Sequence, residues 1–455
     1  MGLESKLEQH QKKIQIGYLI LLFLFSCMWM WVQPLNASPD EGMRYLVPQY
    51  IYNHGRLPVG SDPEIINWAW GSSYGFNPIT SYIISALFMK ITAVFTTDAT
   101  ALLMAARLVS VLFGVANAYV VIKIAEKLFE GKRMYQWLFI VFATLLPEVV
   151  FITSYVNIDA MALFGTSLTI YCWILGMESD WRYRNCIALG ASLSVCILSY
   201  YNTYGFLVCS FLLFVIYGLW LSEKGKESGV FKTTIKKGLV VLGIVLLLTG
   251  WWFIRNYIIY DGDILGLDAC NQCAELYALP ELKPSFINTH QEKGLSLWSM
   301  LFQDKWLMST IGSFIARFGF SDIYIAPWMY WAISIMLLLG IAGALINAKR
   351  VWFNGEDKTR TLLHWMFVLV IFLTVGISMY YSYTADYQPQ GRYCLPMVTA
   401  LMYLVVYGIQ RGGEFLRNRS QAAEKIIVWG MMGVFAIITI LSYFIYFAPT
   451  YAMYR

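Results

Sequence analysis

Apolar runs long enough to cross a bilayer as helices, about 20 residues each, recur through the chain between short polar breaks. They predict spans near 14–32, 101–122, 137–152, 158–176, 187–201, 203–221, 238–254, 325–346, 362–381, 393–410 and 426–447. One further apolar run, 78–95, fits either a crossing or a segment that dips in and returns. Basic residues decide between these, because cytoplasmic loops collect Lys and Arg. With 78–95 held on one side, the loops 1–13, 123–136, 177–186, 222–237, 347–361 and 411–425 share a face and carry most of the 33 lysines and arginines. If 78–95 crosses, every later loop changes side and that concentration is lost. The expectation is an all-α polytopic bundle of about eleven spans plus a re-entrant or interfacial hairpin. It is multi-pass in the plasma membrane with a cytoplasmic N-terminus. The first run follows Lys12 and Lys13, but no small-x-small site precedes Asp40, so it reads as a span rather than a cleaved signal peptide.

Composition narrows the class. Hydrophobic residues are 58% of the 455 positions and charged residues 13%, against roughly 25% charged in soluble domains. Lipid is therefore the solvent for most of the chain. Disordered, collagen-like, coiled-coil and disulfide-framed proteins are excluded. The net charge of +5 falls in short basic loops, and nucleic acid is not an expected partner. Those loops hold no GxxxxGKS/T stretch and no GxGxxG after a strand, so cytosolic nucleotide binding has no support.

The sizeable polar segments all fall on the other face: 33–77, 255–324 and the short 382–392. In the first, Asp40 and Glu41 follow Pro39 directly after span one. One reading is a helix start with carboxylates favoured by the dipole. The other is chemical: a carboxylate at the membrane surface is costly, and beneath the aromatic stretch Trp68–Phe76 it suits deprotonation of a hydroxyl. Asp159, after Asn157 at the head of a span, reads either as a helix cap or as a second acid facing the same cavity. Arg255 and Asn256 close span seven. Arg255 can simply reach the headgroups. Arg392, after the polar run Asp386–Gln390 and before Tyr393, suits a lipid-linked phosphate, which its fork can hold bidentately.

Together, Pro39-Asp40-Glu41, Asn157-x-Asp159, Trp251-Trp252-x-x-Arg255-Asn256 running into Tyr260-Asp261-Gly262-Asp263, and Gln390-Gly391-Arg392-Tyr393-x-x-Pro396 resemble a family of bacterial polytopic membrane proteins. That family is similar in architecture to the GT-C glycosyltransferases: protein O-mannosyltransferases, the lipid A aminoarabinose transferase and oligosaccharyltransferase subunits. The resemblance covers roughly residues 14 to 410 in motif order. It implies transfer of a sugar from a polyprenyl-phosphate-linked donor to a cell-envelope acceptor on the external face of the bilayer, with an inverting outcome. It also implies catalytic roles for Asp40, Glu41 and Asp159, and phosphate binding by Arg392, Arg255 and Tyr393. Arg44, Asn157, Asn256 and Gln390 are the expected substrate contacts. Members of the superfamily differ in their need for a divalent cation, so Mg or Mn is a possible cofactor. His54 and His290 are isolated and do not force one. No large soluble domain is expected after the last span, so acceptor recognition is expected from the outer segments or a partner protein.

Most cysteines lie in or at spans, where a thiol behaves as a small apolar group. Cys270 and Cys273 form a CxxC in the outer segment. A local disulfide is the first expectation there, ahead of redox exchange or zinc. A transporter or lipid-linked-sugar flippase is the alternative function and should show internal repeats and charges at mid-membrane. The acids cluster at external helix ends instead. A non-catalytic assembly protein is the third reading, favoured only if Asp40 and Asp159 are separate caps.

Overall fold

The computed structural model describes residues 3–221, 229–353 and 357–452; Lys224 and Lys226 of the expected basic loops lie outside them. In chain order the first helices are α1 (Leu3–Val32), α2 (Glu41–His54), α3 (Thr80–Ala93), α4 (Ala99–Leu128), α5 (Arg133–Thr144), α6 (Pro147–Ile152), α7 (Asp159–Glu178) and α8 (Tyr183–Ile197). They are followed by α9 (Gly205–Ile216), α10 (Val230–Ile259), α11 (Leu267–Tyr277), α12 (Trp306–Ile315), α13 (Pro327–Ile346), α14 (Lys358–Thr384), α15 (Val398–Arg419) and α16 (Gln421–Leu441).

Side chains set α1 and α4 antiparallel. Gln15, in the first half of α1, donates to Glu126 near the end of α4 at 2.8 Å. Arg107, early in α4, donates to the carbonyls of Met30 and Gln33 at 3.0 and 2.8 Å. Between them, α2 and α3 have 14 residues each, about 21 Å at 1.5 Å per residue. They pack on each other and on α4, burying Tyr45, Val47, Ile51, Tyr82 and Met89 against Leu102 and Ala106. The run 78–95 therefore returns the chain to the end of the bundle where it began, as the loop charges require.

Among the described residues, nine helices are long and apolar enough to cross a membrane, and each matches an expected span. The other two expected spans are built differently. The run 137–152 is α5 and α6, broken because Pro147 has no N–H with which to continue α5 and instead opens α6. The run 187–201 ends early, as α8 has only 15 residues. Close backbone approach tightens the bundle: a Cβ on Gly408 of α15 would lie 1.9 Å from the Gly340 carbonyl oxygen of α13. Leu239, Leu242, Leu246 and Leu247 on α10 face outward, as lipid-facing residues do.

The two ends of the bundle differ in chemistry. At one, Lys127 pairs with Glu178 at 2.8 Å, Lys237 donates to the Asp180 carbonyl at 2.7 Å, and Tyr135 donates to Glu424 at 2.7 Å. The opposite end carries Asp40, Asp159, Arg392 and the long polar segments. There the expected local disulfide is not formed. Cys270 and Cys273 are free thiols three residues apart on α11, Cys270 turned toward Ser72 and Cys273 buried.

Candidate active site

Asp40 stands between α1 and α2 with left-handed backbone (φ 61°, ψ 8°) and makes no side-chain cap for α2. Its carboxylate is therefore free to face Arg392, whose Nη2 donates to Asp40 Oδ2 at 2.9 Å. The Asp40 side chain remains 33% exposed. Burial works to raise its pKa, but the Arg392 and Arg44 guanidinium groups, helped by the Tyr74 hydroxyl, outweigh this and hold it below the ordinary value of 3.8.

Arg44 lies one helical turn on. Its Nη1 donates to Asp159 Oδ2 at 3.0 Å, its Nη2 is 3.8 Å from Asp40, and its guanidinium covers the Tyr74 ring at 4.6 Å. Asp159 is free for this pairing because Asn157 does the capping, its Oδ1 accepting the Ala160 N–H at 3.0 Å. Neither acid is a helix cap. A chain of alternating charges, Arg392–Asp40–Arg44–Asp159, results.

Arg392 is held by a tight turn, residues Gly391–Met397. The Gly391 N–H donates to Ser313 Oγ at 2.7 Å, and a Cβ there would lie 2.0 Å from the Phe314 nitrogen. Only glycine allows α12 so close. The Arg392 side chain is 5% exposed, its Nη2 also donates to the Tyr393 hydroxyl at 3.1 Å, and its guanidinium lies 5.0 Å from the Tyr393 ring. Its Nε and Nη1 are buried and, among the described residues, have no hydrogen-bond partner. Buried donors in that state are costly, and an arriving oxyanion would satisfy them.

Of the expected residues, then, Asp40, Arg44, Asp159, Arg392 and Tyr393 come together. Glu41 does not join them. It is wholly buried, takes both Arg107 Nε and Nη2 at 2.7 and 2.6 Å, and accepts the Val156 N–H at 3.1 Å. It thus joins α2 to α4 and to the loop before α7. Asn157 is fully occupied as a cap. Arg255 donates to the Pro58 carbonyl and lies 5.3 Å from the Trp252 ring, while Asn256 donates to the Ile264 carbonyl at 3.2 Å. Arg255 fastens α10 to the segment 33–77, and Asn256 fastens the end of α10 to the polar stretch that follows it. Gln390 donates to Gln388.

Two residues outside the expected set matter. Arg107 is the buried partner of Glu41, and its signal is a charge inside an apolar span. Glu148, 3% exposed, accepts the Arg317 N–H at 2.9 Å and lies within electrostatic reach of Arg392. Its signal was the same.

For a divalent cation the donor set is a poor match. Among the described residues no three His, Cys, Asp or Glu side chains gather. The Arg44 guanidinium contacts both carboxylates, so a cation would compete with two arginines.

A family model described as a predicted membrane protein (DUF2142) matches residues 61–401. The chain belongs to that family. No curated protein matches it. Among solved structures, this DUF2142 chain is similar to the archaeal oligosaccharyltransferase AglB from Archaeoglobus fulgidus, determined with an inhibitory peptide and a dolichol-phosphate. The TM-score is 0.52 at 13% identity, over 94% of this chain and 56% of that one. It is likewise similar to ArnT from Cupriavidus metallidurans bound to undecaprenyl phosphate, with TM-score 0.51 at 14% identity, over 88% of this chain and 60% of that one. The chain spans less than two thirds of either structure's length. At these identities the likeness is one of fold, a GT-C-like bundle of the kind the motifs led us to expect.

Proposed function

We propose that this protein is a membrane glycosyltransferase. It moves a sugar from a polyprenyl-phosphate-linked donor to a hydroxyl of a cell-envelope acceptor, at the outer end of a bundle set in the plasma membrane with its basic loops in the cytoplasm. The observation that carries the reading is the one-third-exposed Asp40 carboxylate beside an Arg392 guanidinium whose buried Nε and Nη1 have no hydrogen-bond partner among the described residues.

In that arrangement the acceptor oxygen attacks the sugar C1 and loses its proton to Asp40. The C1–O bond to phosphate breaks and its electron pair leaves with the polyprenyl phosphate. Arg392 is positioned to stabilise the charge that grows there, and a single displacement inverts C1. An apolar groove of about 460 Å³ between α8, α9 and α10, lined by Ile197, Leu207, Leu246, Phe253 and Leu265, suits the isoprenoid chain. It adjoins Tyr201–Thr203, where Asn202 donates to the Tyr393 carbonyl at 3.1 Å. The dolichol-phosphate and undecaprenyl phosphate named for AglB and ArnT support the same donor class.

The test is sugar transfer in proteoliposomes supplied with polyprenyl-phosphate sugars and envelope acceptors. Donor-dependent transfer that Asp40→Asn abolishes supports the reading; transfer unchanged in Asp40→Asn contradicts it.

A further inference from the structure

In the structure Arg392 is already committed. Nη2 spends both hydrogens, one on Asp40 Oδ2 at 2.9 Å and one on the Tyr393 hydroxyl at 3.1 Å. A guanidinium offers two forks to an oxyanion, Nε with Nη2 and Nη1 with Nη2, and Nη2 belongs to both. The unpartnered Nε and Nη1 can therefore each start a bidentate contact, but completing one takes an Nη2 hydrogen from its present acceptor. Of the two acceptors Asp40 is the one that a phosphate also repels by charge.

We infer that Arg392 is exchanged between Asp40 and the donor phosphate, so that Asp40 becomes an available base only when a donor occupies the site. The inference rests on the proposed donor class and adds how the site is regulated. Without donor, Asp40 is an ion-paired carboxylate, a weak proton acceptor for water or a stray hydroxyl. A phosphodiester donor carries one negative charge. As C1–O breaks the departing phosphate gains a second, and its hold on Arg392 strengthens along the reaction. The acceptor proton passes to the carboxylate that Arg392 has left. Arg44, 3.8 Å from Asp40 and bound to Asp159 at 3.0 Å, stays behind and keeps Asp40 in place.

The exchange makes Asp40 a competitor of the phosphate, which a binding experiment reads without any transfer assay. Polyprenyl phosphate is titrated against the purified full chain in nanodiscs, as wild type, Asp40→Asn, Asp40→Gly, Arg392→Lys and Asp40→Asn/Arg392→Lys. Asn and Gly both tolerate the left-handed backbone of position 40, so both variants are expected to fold, and a cooperative unfolding transition checks that they do. Removing the carboxylate charge should tighten binding roughly tenfold. The gain should vanish in the Arg392→Lys background, where no fork exists. Wild-type affinity that equals or exceeds that of both Asp40 variants overturns the exchange and leaves the donor class standing. Folded wild type and variants that all fail to bind overturn the donor class, and the exchange with it.

Discussion

Arg392 and Asp40, separated by 352 positions in the chain, meet at 2.9 Å at one end of the bundle. Each comes from a segment shaped to deliver it: Asp40 from a left-handed turn that leaves its side chain uncommitted as a cap, Arg392 from a glycine turn pressed against α12.

Asp40→Asn keeps the shape and the backbone preference but removes the proton acceptor. Transfer should fall by roughly 10²–10⁴-fold, with membrane insertion kept and a cooperative unfolding transition retained at a somewhat lower temperature, since the variant loses the Asp40 charge. Parallel transfer assays and thermal unfolding on the same preparations check this.

The pH dependence of stability has a definite sign. Asp40 binds its proton less readily when folded than when unfolded, because Arg392 and Arg44 outweigh the effect of burial. Its contribution is therefore present above the ordinary carboxylate value near 3.8 and is lost as pH falls through the lower folded value. Melting temperatures measured from pH 6 down to about pH 3 should drop more steeply for wild type than for Asp40→Asn.

Glu41 and Arg107 form a wholly buried ion pair. Removing one partner leaves the other charge unpaired, so Arg107→Ala should destabilise by about 3–5 kcal/mol. Arg107 also serves three backbone carbonyls, Met30, Gln33 and Pro34. Glu41→Gln should therefore lower the melting temperature as well, while folded Glu41→Gln protein should bind polyprenyl phosphate with wild-type affinity. Thermal unfolding and phosphate titration separate the two effects.

Gly391→Ala adds a methyl group 2.0 Å from the Phe314 backbone nitrogen. Backbone cannot yield as a flexible side-chain tip does, so a loss of about 1–3 kcal/mol is expected from overpacking. Because the turn carries Arg392, affinity for polyprenyl phosphate should fall with it. The same substitution at Gly131, where a Cβ meets nothing within 4 Å, should leave phosphate binding unchanged.

Much of the architecture was legible because membrane crossing imposes a length and a composition, and loop charge imposes a side. Those constraints located nine spans and kept 78–95 at one end of the bundle, the end that carries Asp40. They did not resolve 137–152, where the run stays apolar across the break at Pro147, nor the early stop of α8 at Ile197. The acids and Arg392 were visible as charges at helix ends, but their pairing was not. Nothing local distinguishes Asp40, which is one-third exposed and meets Arg392, from Glu41, which turns inward to Arg107. That difference comes from one residue of left-handed backbone. Arg107 and Glu148 carried the general signal of charge within an apolar run, but only the packed structure shows which partners they meet.

The central claim is that the Asp40–Arg392 end receives a lipid-linked phosphate. The most direct measurement is a structure of the protein in lipid with polyprenyl phosphate bound. The phosphate is expected within hydrogen-bonding distance of Arg392 Nε or Nη1, in a cavity open to the bilayer at the Asp40 end alone. A phosphate seated at the opposite, basic end, or a cavity that opens alternately to both sides, would contradict it and favour a transporter.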